Sequence, residues 1–230
     1  MDASPADYFG RVADRYDAMA RRVVPAYAEM TQQLLDQIPA GAGRVLELGC
    51  GTGQLAAALG RRSPAPELTL VDAAPEMLDA TRARLAEACP GAARSARLVL
   101  SRFESLRLEA GHYDVITASL SLHHVEDKRA LYGALASALR PGGLLCFADQ
   151  IRQAAPARDR VEWARWLDFC RGPGGCSEAE LERVVAHARA QDHDASLTEH
   201  FEMLAHAGFE AVDCVWRSGR FGVVTAARPA

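Results

Sequence analysis

The segment Val45-Leu46-Glu47-Leu48-Gly49-Cys50-Gly51-Thr52-Gly53-Gln54, VLELGCGTGQ, decides how the rest of the chain is read. A short apolar run entering a glycine-rich turn puts backbone amides at the carboxyl end of a strand, the edge where open α/β sheets bind ligands. The turn is not a dinucleotide fingerprint, because Gln54 stands where the third glycine would pack helix on strand, and no Walker lysine follows. Glu47 is the discriminating residue. A carboxylate there repels a pyrophosphate and attracts an ammonium group, while the amides of the turn suit a carboxylate. A ligand carrying both groups is an amino acid.

Downstream, Asp72 ends the next apolar run, LTLVD, about 20 residues past the turn, where an acid makes bidentate bonds to ribose hydroxyls. Amino acid plus ribose describes S-adenosylmethionine. Strand-like runs fall at 44–48, 68–72, 97–100, 113–118 and 143–149, each apolar on both faces. Helical patterns at 53–61, 75–88 and 127–139 separate them, so the spacing predicts a parallel α/β sheet. Residues 1–40 read as an N-terminal helical cap, 41–150 as a Rossmann-like cofactor-binding core and 151–198 as a helical lid insertion over the strand ends. Residues 199–230 read as a helix and a β-hairpin turning at Ser218-Gly219 and completing the core.

The ordered set ELGCGTG, VDAAPEML, FESL, YDVITASLSLHH and LRPGGLL resembles the class I S-adenosylmethionine-dependent methyltransferases over nearly the whole chain. The resemblance implies a doubly wound seven-stranded sheet of order 3-2-1-4-5-7-6 with its last strand antiparallel. It also implies that Glu47, Gly49, Cys50 and Gly51 hold the methionine portion of the cofactor, Asp72 the ribose, and Ala73 and Met77 the adenine. Arg102 and Phe103, after the third strand, and Tyr16, from the cap, join the same cofactor-binding set. The flanks, RVADRYDAMARRVVPAYAEM and GGCSEAELERVVAH, resemble the carboxy-S-adenosylmethionine synthases of tRNA wobble-uridine modification. By that likeness Tyr27 and Ser119 also contact the ligand. Val185 stands where that branch has a carboxylate-binding arginine, and a valine binds no carboxylate, so ordinary S-adenosylmethionine is expected, leaving as S-adenosylhomocysteine. The loop Ser101-Arg102-Phe103-Glu104 lacks the aspartate usually offered to adenine, leaving backbone groups, Glu104 or an apolar sandwich for that job.

His123 and His124 follow the fourth strand, where an acceptor approaches, and histidine titrates in the range a general base needs. They are the catalytic candidates. Trp163, Trp166, Phe169 and Cys170 fit one helical face of the lid and read as core. His187, Asp192, His193 and Asp194 match no standard ligand spacing; they read as solvated surface, and no metal site is assigned.

A chain of 230 residues with 49% hydrophobic and 24% charged residues reads as one globular domain with a lid, and it has no run long enough to span a membrane. The N-terminus lacks the pattern of a signal peptide, so a cytoplasmic protein is expected. The six cysteines, without a CxxC pair, read as reduced thiols. A net charge of −4 with dispersed arginines argues against nucleic acid. The expected partner is a small-molecule acceptor methylated at N, O or C, with a homodimer as the assembly to test. The alanine- and arginine-rich composition is associated with bacterial enzymes that tailor secondary metabolites. The alternatives are a carboxy-S-adenosylmethionine synthase-like or tRNA-modifying enzyme and a non-catalytic cofactor-binding protein.

Overall fold

Ser4 caps the first helix through a reciprocal pair with Asp7, its hydroxyl accepting the Asp7 amide at 3.3 Å while the Asp7 carboxylate accepts the Ser4 amide at 3.1 Å. The computed structural model describes residues 4–230, so residues 1–3 of the expected cap lie outside the described residues. Three helices open the chain: α1 (Pro5–Val12), α2 (Tyr16–Val23) and α3 (Tyr27–Gln37). Alternation then sets in with β1 (Arg44–Leu48), α4 (Gln54–Gly60), β2 (Glu67–Asp72), α5 (Pro75–Ala88), the short α6 (Pro90–Ser95), β3 (Arg97–Leu100), β4 (Tyr113–Ser119), α7 (Lys128–Ala138) and β5 (Leu139–Arg152). Two lid helices follow, α8 (Pro156–Arg171) and α9 (Glu178–Gln191), then β6 (Ala195–Ser196), α10 (Leu197–His206), β7 (Glu210–Ser218) and β8 (Phe221–Ala227).

The strands lie in the order β3-β2-β1-β4-β5-β8-β7, parallel from β3 to β5, with β8 antiparallel to both its neighbours. This is the expected 3-2-1-4-5-7-6 order, because β8 is the seventh long strand and β7 the sixth. The count differs by β6, a two-residue strand pairing Ile151 with Ala195. Strand β5 also begins four residues before the expected 143. Leu139 pairs with Tyr113, a bulge follows, and the ladder resumes at Leu144 with Val115. Gly143 permits the kink, since a Cβ there would lie 2.8 Å from the Arg140 carbonyl.

Helices cover both faces, so Val45 and Leu46 are each fully buried on opposite sides of β1. One core joins Met30 and Leu34 of α3, Leu55 and Leu59 of α4, Leu85 of α5 and Trp166 and Cys170 of α8. The other joins Tyr132 and Leu135 of α7, Leu204 of α10 and Phe147 of β5. Each such leucine contributes about 2 kcal/mol. The lid face Trp163-Trp166-Phe169-Cys170 is core, as its spacing predicts, with the Trp166 indole donating to the Val23 carbonyl at 2.7 Å. Among the described residues no helix is long and apolar enough to cross a membrane. No cysteine is disulfide-bonded, and burial pushes the Cys146 and Cys170 thiols up to about 12.

Candidate active site

The turn after β1 needs its glycines. Gly49 has φ +67°, and a Cβ there would sit 2.4 Å from the Ser121 side chain. Gly53 has φ +78° and meets the Thr81 backbone of α5 at 3.0 Å, so it supplies the close packing that the third fingerprint glycine provides elsewhere. The turn's amides are otherwise committed than expected. The Cys50 amide donates to the Val71 carbonyl at 2.9 Å, Gly53 to the Cys50 carbonyl at 2.9 Å and Gly51 to Asp72 Oδ2 at 2.8 Å. A ligand carboxylate therefore does not find those three donors free, because the turn folds back on its own strand and on Asp72.

Two carboxylates stand at this edge. Glu47 is 2% exposed, and its Oε2 has no hydrogen-bond partner. Burial first, and the Asp72 charge second, push its pKa up to about 8. Burial raises the Asp72 pKa too, against the hydrogen bonds from the Ala74 and Gly51 amides. Paired acids at the bottom of a cleft are costly without a counter-charge, and a ligand ammonium supplies one.

Pro5, Phe9 and Tyr16 roof a half-open cleft whose floor and walls include Gly49, Gly51, Asp72, Ala73, Met77, Arg102, Phe103 and Ser119. A smaller neighbouring recess holds Tyr27, Glu47 and Cys50, again with Tyr16, Gly49, Gly51 and Ser119. The twelve residues expected around the cofactor thus line two adjoining spaces. Glu104 lines the cleft as well, beside Arg102 at 3.7 Å. The roof is fastened by residues that sequence reasoning missed: Thr52 donates to Asp17 Oδ1 at 2.5 Å, and the Arg84 guanidinium also pairs with Asp17. Burial raises the Asp17 pKa, but these hydrogen bonds outweigh it and hold the carboxylate ionised.

Beside the cleft lies a second space, lined by Tyr8, Met19, Trp166, His123, His187 and Asp192 and sharing Phe9, Tyr16, Leu120 and His124 with the first. Leu120 holds φ +54°, a conformation costly for a branched side chain, at the partition between the two. The two candidate histidines differ sharply. His123 is 6% exposed; its Nδ1 pairs with Asp149, and its amide donates to the same carboxylate at 3.1 Å. Burial alone lowers the His123 pKa, but the Asp149 charge and hydrogen bond overcome this and raise it to about 9. For His124, burial and then the His123 charge lower the pKa. Neither ring nitrogen of His124 has a hydrogen-bond partner.

Two expectations are corrected here. Asp192 and Asp194 are not solvated surface: their side chains are 6% and 13% exposed, and Asp192 Oδ1 lies 3.3 Å from His124 Nδ1. His187 stacks on Tyr8 at 4.1 Å, leaving only His193 exposed as expected. These residues fall at the end of α9, which returns its tail to the sheet, so their polarity marks a buried cluster. Val185 packs against the first core, and Arg183 lines an outer groove with Arg11 and Arg15.

Residues 46–145 match the family described as a methyltransferase domain. The biotin biosynthesis bifunctional protein of Bordetella avium is 39% identical over 150 residues, which are 64% of this chain and 30% of that protein. The chain thus spans less than a third of that relative's length. The carboxy-S-adenosyl-L-methionine synthase of Chromohalobacter salexigens is 28% identical over 234 residues, 96% of this chain and 82% of that one. Phosphoethanolamine N-methyltransferase 2 of Haemonchus contortus, solved with S-adenosyl-L-methionine, shares the fold at a TM-score of 0.71 and 14% identity, covering 100% of this chain and 61% of that chain. Residues 46–145 thus carry a methyltransferase domain, and the chain as a whole shares the fold of the S-adenosyl-L-methionine-bound enzyme.

Proposed function

We propose that this S-adenosylmethionine-dependent methyltransferase moves the cofactor's methyl group to an N, O or C atom of a small, partly apolar acceptor seated in the second compartment. The observation that carries the reading is the pair of acids near the ends of adjacent parallel strands, buried Glu47 in the recess and half-buried Asp72 in the adjoining apolar-walled cleft. Glu47 meets the ligand's ammonium group and Asp72 its ribose hydroxyls. Ala73 and Met77 flank the adenine with Arg102 and Phe103, while Tyr16, Tyr27, Gly49, Cys50, Gly51 and Ser119 enclose the methionine end. When bound, the cofactor supplies a methyl carbon activated by its sulfonium and leaves as S-adenosylhomocysteine.

The chain's own part is positioning, which supplies much of the acceleration in an in-line displacement. Phe9, Tyr16 and Leu120 separate the two ligands, and the roof excludes water. His124 faces both compartments with its lone pair free, and it takes the acceptor's proton as the new bond to carbon forms. His123, clamped by Asp149, positions the turn that carries His124.

The second reading, synthesis or use of a carboxylated cofactor, draws on the breadth of likeness to the carboxy-S-adenosylmethionine synthases. Val185 weighs against it, offering no charge to a carboxylate. Calorimetry with both cofactors, alongside mass spectrometry of any ligand released on denaturation, is the test. Preference for the ordinary cofactor, with S-adenosylhomocysteine released in the presence of small phenols or amines, supports the proposal; preference for the carboxylated form overturns it.

A further inference from the structure

We infer that His123, His124 and Asp192 form a site for one divalent transition-metal ion at the wall of the acceptor compartment. One donor atom from each lies within 4.8 Å of the other two. Asp192 Oδ1 is 3.3 Å from His124 Nδ1 and 3.9 Å from His123 Nε2. Ligand bonds of about 2.0–2.2 Å in a tetrahedral site place donors about 3.4 Å apart, which the Asp192–His124 pair matches and the Asp192–His123 pair exceeds by about 0.5 Å.

The bonding around the cluster is incomplete in the way a ligand set is. Asp192 Oδ2 accepts from the Gln150 amide at 3.0 Å, but Oδ1 has no hydrogen-bond partner, and neither has either nitrogen of His124. Leaving a buried polar group unmade costs about 1–3 kcal/mol, and two of these atoms, Asp192 Oδ1 and His124 Nδ1, face each other at 3.3 Å.

The surrounding groups orient the donors. Asp149 takes the Nδ1 side of His123 and aims Nε2 at Asp192, the carboxylate–imidazole–metal arrangement in which a second carboxylate fixes ring and tautomer. Gln150 does the same for Asp192. Two imidazoles with one carboxylate suit zinc, cobalt(II), iron(II) or nickel, whereas magnesium and calcium favour all-oxygen sets. Three protein ligands leave positions open, and these face the compartment shared with Phe9 and Leu120. The binding claim stands on the cluster alone. The ion's task, holding and polarising an acceptor oxygen so that activation passes from His124 to the metal, rests on the methyl-transfer reading.

The test is titration of the metal-stripped full chain with cobalt(II), followed by visible absorption, with S-adenosylmethionine affinity measured on the same samples. The expected result is one cobalt per chain with the absorption of a low-coordinate nitrogen–oxygen site. His124→Ala and Asp192→Asn should each bind it at least tenfold more weakly, and Asp149→Asn about 10–100-fold more weakly. Retained cofactor affinity in the isosteric Asp192→Asn and Asp149→Asn variants reports that they fold. Cobalt uptake by the wild type no tighter than by His124→Ala or Asp192→Asn overturns the site. Cofactor binding without cobalt binding refutes the ion alone, and cobalt binding without cofactor binding refutes the cofactor assignment alone.

Discussion

Glu47 gives the sharpest test of the cofactor site, because its proton is part of the binding reaction. With a pKa of about 8 in the empty protein, the carboxyl is ~90% protonated at pH 7. An ammonium group beside it favours the ionised form, so binding expels that proton. Calorimetry in buffers of different ionisation enthalpy should show ~0.9 proton released at pH 7, and affinity should rise about ninefold from pH 6 to 7 and about fivefold from pH 7 to 8. Glu47→Gln should abolish both. The free ligand's amine titrates identically in the two experiments, so the difference reports the glutamate together with the shift it imposes on the bound amine. The same shift sets the sign for stability. The folded pKa lies above the ordinary 4.5, so the favourable contribution of the protonated carboxyl is complete below pH 4.5 and is lost as pH rises through about 8. Over that window the empty wild type should lose stability relative to Glu47→Gln. Equal proton release in both proteins, or a flat affinity between pH 6 and 8, would refute the reasoning.

Replacing Asp72 by Ala should weaken cofactor binding at least tenfold, since a bidentate ribose contact is worth more than ~1.4 kcal/mol; unchanged affinity by calorimetry removes the ribose assignment. His124→Ala should slow turnover at least a hundredfold while cofactor affinity stays within about twofold, and full activity would mean that positioning alone suffices. The Arg220 guanidinium, 4% exposed, holds Asp159 at 2.9 Å and Asp194 at 2.5 Å. Arg220→Ala strands buried charge at a cost of about 3 kcal/mol, seen as a lower thermal midpoint, and Asp194→Asn in that background should recover part of the loss.

The residues of the proposed cofactor half stand out in the sequence because their signals are local. VLELGCGTG places Glu47, the turn and the start of α4 within one strand–helix unit, and Asp72 repeats the pattern one strand on. The strand order came through resemblance, since nothing in the residues of β7 and β8 announces that they insert beyond β5. The acceptor half was misread where it depends on distant chain. Asp149 ends the apolar run 143–149 as Asp72 ends the run 68–72, a parallel that could have marked it. Asp192 meets His124 across 68 positions, and only the packing of α9 brings them together. The polar tail QDHDAS looks like surface in any local window. The Asp17–Thr52–Arg84 fastening was invisible for the same reason.

Helices α1 and α2 contribute to both compartments, Phe9 and Tyr16 facing each. On the proposed reading, movement of those helices reaches both spaces, so exchange of the spent cofactor and departure of the methylated product are coupled through it. Order of addition then becomes a mechanical matter: the acceptor space lies behind the partition, and a ligand seated in front restricts traffic to it. Steady-state inhibition patterns would record the movement of these two helices, and loosening the Asp17 fastening would change the apparent order of binding without altering any group that touches the transferred carbon.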